Sequence, residues 1–391
     1  MKNLFDADAI NDTIRRALAS AGLSPAAGTI HSATETFWQA LKSGSTSADA
    51  VPPASNATVI DVVARVLGVQ QHQDFSAGHW TQPGDADARG TFETREFSNH
   101  AGARTYKLYI PARRPSAPPP LFVMLHGCTQ SADDFAMGTQ MNRLADEHGF
   151  LVVYPEQAAH ANASKCWNWF KAQDQARDAG EASLIAGIAA EVAAQHGADP
   201  GRIFVAGLSA GAAMAVILGE TYPELFAGVG AHSGLPYGSA HDIPSAMAAM
   251  KRGRSAGARL KGKPSVSSAP RKKALHAIPI IVFHGDQDQT VQAVNSAEIV
   301  QQAKDAHKAK AGTGTLSALT HRGTSAGGRS YSRTVHADPA AGAHIESWTL
   351  HGAGHAWSGG NAKGSFADGS GPDASSEMVR FFLALRRAVA A

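Results

Sequence analysis

From about Thr91 onward, the chain contains a series of short apolar runs, and each run ends in glycine or polar residues. The runs are LFVMLHG, GFLVVYPE, RIFVAGLS, AGVGAHSG and IPIIVFHGD. Strands that are apolar throughout are typical of a parallel sheet covered on both faces. Helical patterns lie between several of the runs, for example EASLIAGIAAEVAAQHG over 181–197. The alternation predicts an α/β fold with a mostly parallel central sheet and helices on both faces.

Other patterns precede these runs. FETREF and ARTYKLYIP predict a pair of extended strands in front of the proline-rich turn PSAPPP. Residues 4–18, 33–41 and 59–68 have helical periodicity, and a polar stretch with two prolines separates the last two. We therefore expect a helical N-terminal extension with a linker over 1–90 and one α/β domain over 91–391.

Composition and charge exclude several classes of protein. The 391 residues are 43% hydrophobic and 17% charged, which is typical of a globular chain. The net charge of +2 creates no strong overall field that would point to nucleic acid or a membrane, and we expect no nucleic-acid partner. No apolar run approaches the roughly 20 residues of a membrane span. The start MKNLFDADAINDTIRR has no apolar signal-peptide core, which predicts a cytoplasmic location.

One segment of the domain is strongly basic. Residues 251–273 contain nine Lys or Arg and no acidic residue. With few apolar side chains, such a segment cannot offset the entropy lost on folding, so we expect a flexible surface insertion. Either it is a solvated loop without a role, or it attaches weakly to an anionic surface.

The polar residues after the apolar runs are the candidates for chemistry, because ligands bind at the carboxyl ends of parallel strands. RIFVAGLSAGAAMA places Ser209 between a predicted strand and a predicted helix, within Gly-Leu-Ser-Ala-Gly. This context fits the G-x-S-x-G motif, in which a nucleophilic serine occupies a strained strand-to-helix turn. The flanking glycines are needed because a Cβ there would strike the neighbouring strand or helix. Ser209 is the predicted nucleophile.

A serine nucleophile needs a histidine base and an acid that orients it, in the chain order Ser, acid, His. FHGDQDQTV supplies Asp286 and Asp288. We favour Asp288, which lies further beyond the strand, and expect Asp286 to bond its own loop. WTLHGAGHAWSGG supplies His351 and His355. We favour His355, on a glycine-flanked loop, and expect a structural role for His351.

Three more histidines lie at the ends of apolar runs. His126 and His284 each precede a glycine, and we expect both to hydrogen-bond loop backbone. His232, in AHSG, is the weaker alternative to His355 as the base.

Acyl transfer also requires backbone amides aimed at the developing oxyanion. The N–H of Ala210, directly after the nucleophile, is one predicted donor. The second comes from the loop after LFVMLHG, at Cys128 or its neighbour Thr129. The chain has two cysteines, Cys128 and Cys166, which form either one disulfide or two separate thiols. Two cysteines exclude a disulfide-rich scaffold and a multi-cysteine metal site.

Tryptophans flank the predicted site. We expect Trp167 and Trp357 to contact the substrate in an acyl groove, with core packing as the alternative reading. Trp169 is open to the same two readings. The predicted chemistry requires no metal and no organic cofactor.

Eight blocks of the sequence resemble successive blocks of the poly(3-hydroxybutyrate) depolymerase family of esterases. They are LFVMLHGCTQSADDFA, GFLVVYPEQ, CWNWF, DPGRIFVAGLSAGAAMA, HSGLPYG, VFHGDQDQTV, GAGHAWSGG and GPDASSEMVRFFL. The resemblance extends from about residue 91 to the C-terminus and keeps the order and spacing of the blocks. It implies an α/β-hydrolase fold with Ser209, Asp288 and His355 as a catalytic triad. It also implies an oxyanion contact at the Cys128 amide and a disulfide between Cys128 and Cys166.

The same resemblance implies an activity. We expect a serine carboxylic-ester hydrolase that acts on polyhydroxyalkanoate-type polyester, on its oligomers and on short-chain esters. The alternatives are a short-chain or feruloyl-type carbohydrate esterase, and a peptidase or acyltransferase with the same triad. Because many members of the family are secreted, the resemblance makes secretion the alternative to a cytoplasmic location.

Overall fold

The computed structural model describes residues 90–113, 115–253, 276–311, 316–338 and 343–387. The predicted N-terminal extension lies outside the described residues except for its last position. The predicted basic insertion lies outside them from residue 254 onward. The helical character of the extension, the domain boundary and the role of the insertion therefore stay predictions.

A ten-stranded sheet forms the centre of the described domain, in the order β1-β2-β4-β3-β5-β6-β7-β10-β9-β8. The six central strands β4, β3, β5, β6, β7 and β10 are parallel to one another. The edge strands β1 and β2 on one side, and β9 and β8 on the other, join the sheet through antiparallel pairs. The strands are β1 Thr91–Asn99, β2 Gly102–Ile110, β3 Leu121–Leu125, β4 Leu151–Pro155, β5 Ile203–Leu208, β6 Gly228–His232, β7 Ile280–Gly285, β8 Ser317–Thr324, β9 Ser330–Asp338 and β10 Ala343–Leu350. A second, two-stranded sheet pairs β11 Trp357–Ser358 with β12 Ala367–Asp368.

Helices cover both faces of the large sheet. Their bounds are α1 Ala132–Thr139, α2 Met141–His148, α3 Gly180–His196, α4 Ala210–Thr221, α5 Ile243–Arg252, α6 Val294–Ala311 and α7 Ala374–Leu383, with a 3₁₀ turn at Ala172–Gln175. Side chains of α3, α4, α5 and α6 share one buried apolar cluster, and those of α1, α2 and α7 share the other. No helix among the described residues is both long and apolar enough to cross a bilayer.

The strands β3, β4, β5 and β7 are apolar at nearly every position because each contributes side chains to both clusters. In β3, Leu121 and Val123 belong to the cluster under α3 and α4, whereas Phe122 and Met124 belong to the other. Successive side chains of a strand point to opposite faces, so a strand covered on both sides needs apolar residues at every position.

The predicted fold class is confirmed. All five apolar runs form neighbouring parallel strands, and FETREF and ARTYKLYIP form the antiparallel β1–β2 pair. The hairpin of β8 and β9 was not predicted, because β8 is almost entirely exposed, β9 is mostly half-buried, and neither shows a clear apolar alternation. This hairpin extends the sheet beyond β10, the strand that leads into the His355 loop.

Candidate active site

Ser209 occupies the turn between β5 and α4 with φ 57° and ψ −118°. A positive φ is uncommon for a residue with a Cβ, and such strain costs about 1–3 kcal/mol. Two backbone hydrogen bonds hold the turn. The Ser209 N–H donates to His232 O at 2.9 Å, and Ser209 O accepts from the Ala213 N–H at 3.0 Å. The side chain is partly exposed, at the carboxyl end of a central strand.

The glycines on either side of Ser209 permit close contact between β5, α4 and β3. A Cβ added to Gly207 would lie 2.5 Å from the carbonyl carbon of Gly211 and 2.6 Å from Leu125 O. A Cβ added to Gly211 would lie 2.1 Å from Leu125 O. All of these atoms belong to backbone, so they cannot move aside as a flexible side chain could. Both positions therefore require glycine, as expected from the sequence.

Asp288 and His355 meet in the loops that follow β7 and β10. Asp288 Oδ2 accepts a hydrogen bond from His355 Nδ1 at 2.6 Å. Asp288 Oδ1 accepts from the N–H groups of Thr290 and Val291, both at 2.9 Å. The Asp288 carboxylate is almost fully buried, so its orientation is fixed on both oxygens. Because this pairing places the imidazole proton on Nδ1, Nε2 is left as the proton acceptor.

The pKa of Asp288 lies well below its usual range. Burial alone would raise this pKa, but hydrogen bonds and positive charge from His284 and His355 outweigh the effect of burial. Asp288 therefore stays ionised at every pH at which a histidine can act as a base. An ionised carboxylate at this position can stabilise a positively charged imidazole at His355.

The other acid and the other histidine of these two loops form a separate pair. Asp286 Oδ2 is 2.9 Å from His351 Nδ1, and Asp286 Oδ1 accepts from the Gly352 N–H at 2.7 Å. His351 Nε2 bonds the Ser332 hydroxyl at 2.9 Å. Both ring nitrogens of His351 thus have partners, in agreement with the structural role expected for it. Asp286 was expected to bond its own loop, but these two partners lie in the loop after β10.

His126 and His284 bond loop backbone, as expected. His126 Nδ1 donates to Gly127 O at 2.7 Å, and Nε2 accepts from the Gln157 N–H at 3.0 Å. His284 Nε2 donates to Val291 O at 2.8 Å.

His232 connects the Ser209 turn to the His355 loop. Its carbonyl accepts the Ser209 N–H, and its imidazole Nε2 accepts the Ser358 N–H at 3.0 Å. Burial, together with the nearby charges of His284 and His355, lowers the pKa of His232 to about 3. His232 is therefore neutral at physiological pH, and its Nε2 already has a hydrogen-bond partner. These contacts favour a positioning role over the weaker alternative that His232 is the base.

Cys128 and Thr129, the two candidate oxyanion donors after β3, differ in whether their backbone N–H already has a partner. The Thr129 N–H already donates to Ser164 O at 2.8 Å, which leaves Cys128 as the better candidate. The preceding amide, of Gly127, is fixed by Gln130 Oε1 at 2.9 Å. Ala210 is the first residue of α4, and amides in the first turn of a helix have no partner within the helix. Cys128 and Ala210 thus remain the two predicted oxyanion donors.

Cys128 and Cys166 form a disulfide. The bridge attaches the loop after β3 to the segment that follows β4. Two hydrogen bonds lie beside it: Trp167 Nε1 donates to His126 O at 3.1 Å, and the Thr129 N–H donates to Ser164 O. The backbone on both sides of the Cys128 amide is therefore attached to the second segment.

The tryptophans are buried, in contrast to their predicted contact with substrate. Trp357 is 1% exposed and its Nε1 donates to Ser375 Oγ at 3.0 Å, while its ring stacks on His232. Trp167 is fully buried and bonds His126 O. Rings without accessible surface cannot line an open acyl groove, so the core-packing alternative holds for both. Trp169, at 6% exposed, is also buried.

A buried polar cluster, which no sequence pattern indicates, supports the Cys166 segment. Glu181 accepts from the Asn168 N–H at 2.7 Å, from Arg104 at 3.2 Å and from the Gln157 side chain. Gln157 also donates to Cys166 O at 2.9 Å. Glutamate is common in the first turn of a helix, so its position in the sequence does not indicate that Glu181 is a buried hydrogen-bond acceptor. Among the described residues, no group of three or more His, Cys, Asp or Glu side chains is arranged to hold a metal ion.

Comparison with known proteins identifies the family of this chain. The model of the family described as Esterase PHB depolymerase matches residues 104–322, more than half of the chain. The matched range contains Cys128, Ser209 and Asp288, and His355 follows it.

Named relatives match parts of the chain. Poly(3-hydroxyalkanoate) depolymerase C of Paucimonas lemoignei is 36% identical over 220 residues, which cover 55% of this chain and 51% of that protein. Probable acetylxylan esterase A of Aspergillus fumigatus is 32% identical over 142 residues, which cover 36% of this chain and 37% of that protein. Feruloyl esterase B of Neurospora crassa is 35% identical over 143 residues, which cover 36% of this chain and 47% of that protein. The chain thus spans about half the length, or less, of the curated relatives it matches.

A solved structure supports the fold. An acetyl xylan esterase from Aspergillus awamori superimposes with a TM-score of 0.53 at 21% sequence identity, covering 68% of this chain and 94% of that one. At this identity the likeness shows the fold alone, which is of the α/β-hydrolase type. The match to the family model over residues 104–322 shows that the chain belongs to the Esterase PHB depolymerase family.

Proposed function

We propose that this protein is a serine carboxylic-ester hydrolase with Ser209 as nucleophile, His355 as base and Asp288 as the orienting acid. The observation that carries the proposal is the buried 2.6 Å hydrogen bond between Asp288 and His355. Through Ser358 and His232, the His355 loop is attached to the turn that presents Ser209. Nucleophile, base and acid also follow one another in the chain order of α/β-hydrolases.

The reaction has two steps. His355 Nε2 takes the hydroxyl proton as Ser209 Oγ attacks the ester carbonyl, and His355 then gives that proton to the departing alcohol. An acyl-serine ester remains. Water attacks this ester with His355 again as the base, the carboxylic acid leaves and the Ser209 hydroxyl is restored. Asp288 holds the imidazole in the required tautomer throughout.

The amides of Cys128 and Ala210 are the proposed oxyanion donors. Each negatively charged tetrahedral intermediate needs hydrogen bonds from preorganised donors, and losing one such donor costs about 10²–10³-fold in rate. The disulfide and the Gln130 contact fix the first donor, and the start of α4 fixes the second.

We propose polyhydroxyalkanoate-type polyester, its oligomers and short-chain esters as the substrate class. The depolymerase relative at 36% identity supports this choice. A short-chain or feruloyl-type carbohydrate esterase is the second candidate, because relatives named acetylxylan esterase and feruloyl esterase match part of the same chain. Both candidates use the same two-step chemistry and differ in the groups that flank the ester.

The disulfide is evidence on the cellular location of the protein. Disulfides persist in oxidising compartments and are rare in the cytosol. The bridge between Cys128 and Cys166 therefore favours the secreted alternative, and the cytoplasmic expectation is not supported.

A substrate panel tests the proposal. Purified protein is assayed on p-nitrophenyl butyrate, on amorphous polyhydroxybutyrate, on acetylated xylan, on a feruloyl ester and on a peptide anilide, with Ser209→Ala as the matched control. We expect Ser209-dependent hydrolysis of p-nitrophenyl butyrate and of the polyester. Preference for the xylan or feruloyl ester would support the second candidate. Cleavage of the anilide alone would overturn both.

A further inference from the structure

Phe366 combines an exposed ring with an unusual backbone conformation. It is the one aromatic residue among the large hydrophobic side chains that are exposed in the described part of the chain, at 39%. Its φ is 51°, in the left-handed region, which is an outlier for a bulky residue. Exposure of an apolar ring and backbone strain both oppose stability, and strain of this kind clusters at functional sites. Folding alone therefore does not explain why a phenylalanine is found here.

On one side, Phe366 is attached to the segment that contains the proposed base. Phe366 O accepts the Trp357 N–H at 2.6 Å. The next residue, Ala367, pairs with Trp357 in the parallel β11–β12 ladder. Continuing this register by one residue puts Phe366 beside Ala356, which directly follows His355. Neighbouring strands lie about 5 Å apart, so Phe366 lies close to the segment that presents the base.

On the other side, its neighbour Ser365 is attached to the loop of the proposed oxyanion donor. The Ser365 N–H donates to Asp134 Oδ1 at 2.8 Å, and Ser365 O accepts from Gln130 Nε2 at 3.0 Å. The same Gln130 side chain accepts the Gly127 N–H, one residue before Cys128. One buried glutamine thus connects the backbone next to the exposed ring with the backbone next to the oxyanion donor.

The acyl chain of the proposed substrates is apolar, and the buried rings of Trp167 and Trp357 have no accessible surface with which to contact it. We propose that Phe366 forms a wall of the substrate site and binds the hydrocarbon part of the acyl chain, which favours acyl chains longer than acetyl. This inference rests on the proposed function. The hydrogen bonds of Ser365 and Trp357 hold the backbone on both sides of Phe366, and the ring is exposed in this conformation.

Substitution at Phe366 tests the inference with p-nitrophenyl acetate and p-nitrophenyl butyrate, which differ only in the acyl chain. In Phe366→Ala, kcat/KM for the butyrate should fall roughly tenfold, the scale of a lost methylene contact, while kcat/KM for the acetate changes less than threefold. Phe366→Tyr should keep the wild-type preference because the ring remains. Leu319→Ala, an exposed apolar control on the outer strand β8, should leave both esters unaffected.

Phe366→Gly separates a substrate contact from a structural role. Glycine adopts a positive φ without strain, so this variant should unfold at the same temperature as wild type or a higher one, yet lose the butyrate preference. Unchanged preference in both the alanine and glycine variants would overturn the inference, as would an equal loss on both esters. If Ser209→Ala retained the activity, the proposed function itself would fail. If activity depends on Ser209 while the Phe366 variants keep their preference, this inference alone fails.

Discussion

Asp288 and His355 are joined by a hydrogen bond of 2.6 Å in which the carboxylate is fully buried and the imidazole is 10% exposed. The neighbouring pair, Asp286 and His351, is joined at 2.9 Å with both side chains more than a third exposed. Two adjacent loops thus supply two acid–histidine pairs. Only in the first is the hydrogen bond shielded from water, and only there is the carboxylate also fixed by two backbone amides.

The first prediction compares the two acids. Asp288→Asn should lower kcat by about 10³–10⁴-fold, because an amide at this position permits the wrong imidazole tautomer. Asp286→Asn should lower kcat less than threefold, because it affects a pair at the surface. Steady-state kinetics on p-nitrophenyl butyrate measure both, with circular dichroism to verify folding. The reverse order of effects would show that Asp286 is the orienting acid.

The second prediction concerns His232. In His232→Leu the buried Ser358 N–H loses its acceptor, which should cost about 1–3 kcal/mol of stability and lower kcat by displacing the His355 loop. His232→Gln offers an amide oxygen near the position of Nε2 and should recover most of the loss. Because His232 is already neutral above its pKa of about 3, neither variant should shift the pH profile. A shifted profile would indicate that His232 takes part in proton transfer.

The third prediction concerns the disulfide. The denatured, unreduced protein should contain no free thiols, as measured by thiol titration. The Cys128→Ser, Cys166→Ser double variant should be less stable by roughly 4 kcal/mol, since the bridge closes a loop with a sequence separation of 38 residues. Its kcat should also fall, because the backbone around the Cys128 amide is no longer attached to the second segment. A double variant with wild-type kcat would exclude a role for the bridge in positioning that amide.

The fourth prediction concerns Asp174, which accepts the Glu181 N–H at 2.8 Å and is 3% exposed. Burial and the charge of Glu181 raise its pKa to about 6. Below its unfolded pKa of about 3.9 the carboxyl is protonated in both states. As the pH rises towards 6, only the unfolded state loses the proton, so stability falls, and the full penalty is present above 6.

Asp174→Asn stays neutral and still accepts the Glu181 N–H. Denaturant unfolding should show it to be more stable than wild type at pH 8, by up to about 3 kcal/mol, and equally stable near pH 4. An equal difference at both pH values would mean that the effect of the substitution does not arise from titration of Asp174.

The central strands and the candidate triad were predictable because their signals are local. A buried parallel strand must be apolar at every position, and a serine between such a strand and a helix needs glycines wherever backbones meet. Gly207 and Gly211 meet that requirement against β3. The choice between Asp286 and Asp288 rested on their distance from the strand end, and the observed pairs agree with it.

Other features depend on contacts that the sequence does not reveal. Trp357 lies two residues after His355, yet its ring packs against His232 and Phe135 in the core. The backbone conformation of this loop sets the direction of the ring, and proximity in sequence does not reveal it. Gln130 connects residues 127 and 365, which are far apart in sequence. The strands β8 and β9 pair at an exposed edge, where no apolar face is required.

Covalent labelling is the most direct test of Ser209 as the nucleophile. The protein is treated with a p-nitrophenyl phosphonate, which reacts with an activated serine and releases p-nitrophenol, and the labelled peptide is then identified by mass spectrometry. The account predicts one label per chain on Ser209, no label in Ser209→Ala, and labelling slowed at least a hundredfold in His355→Ala while the fold is retained. A label on another residue, or equal labelling of the His355→Ala variant, would contradict it.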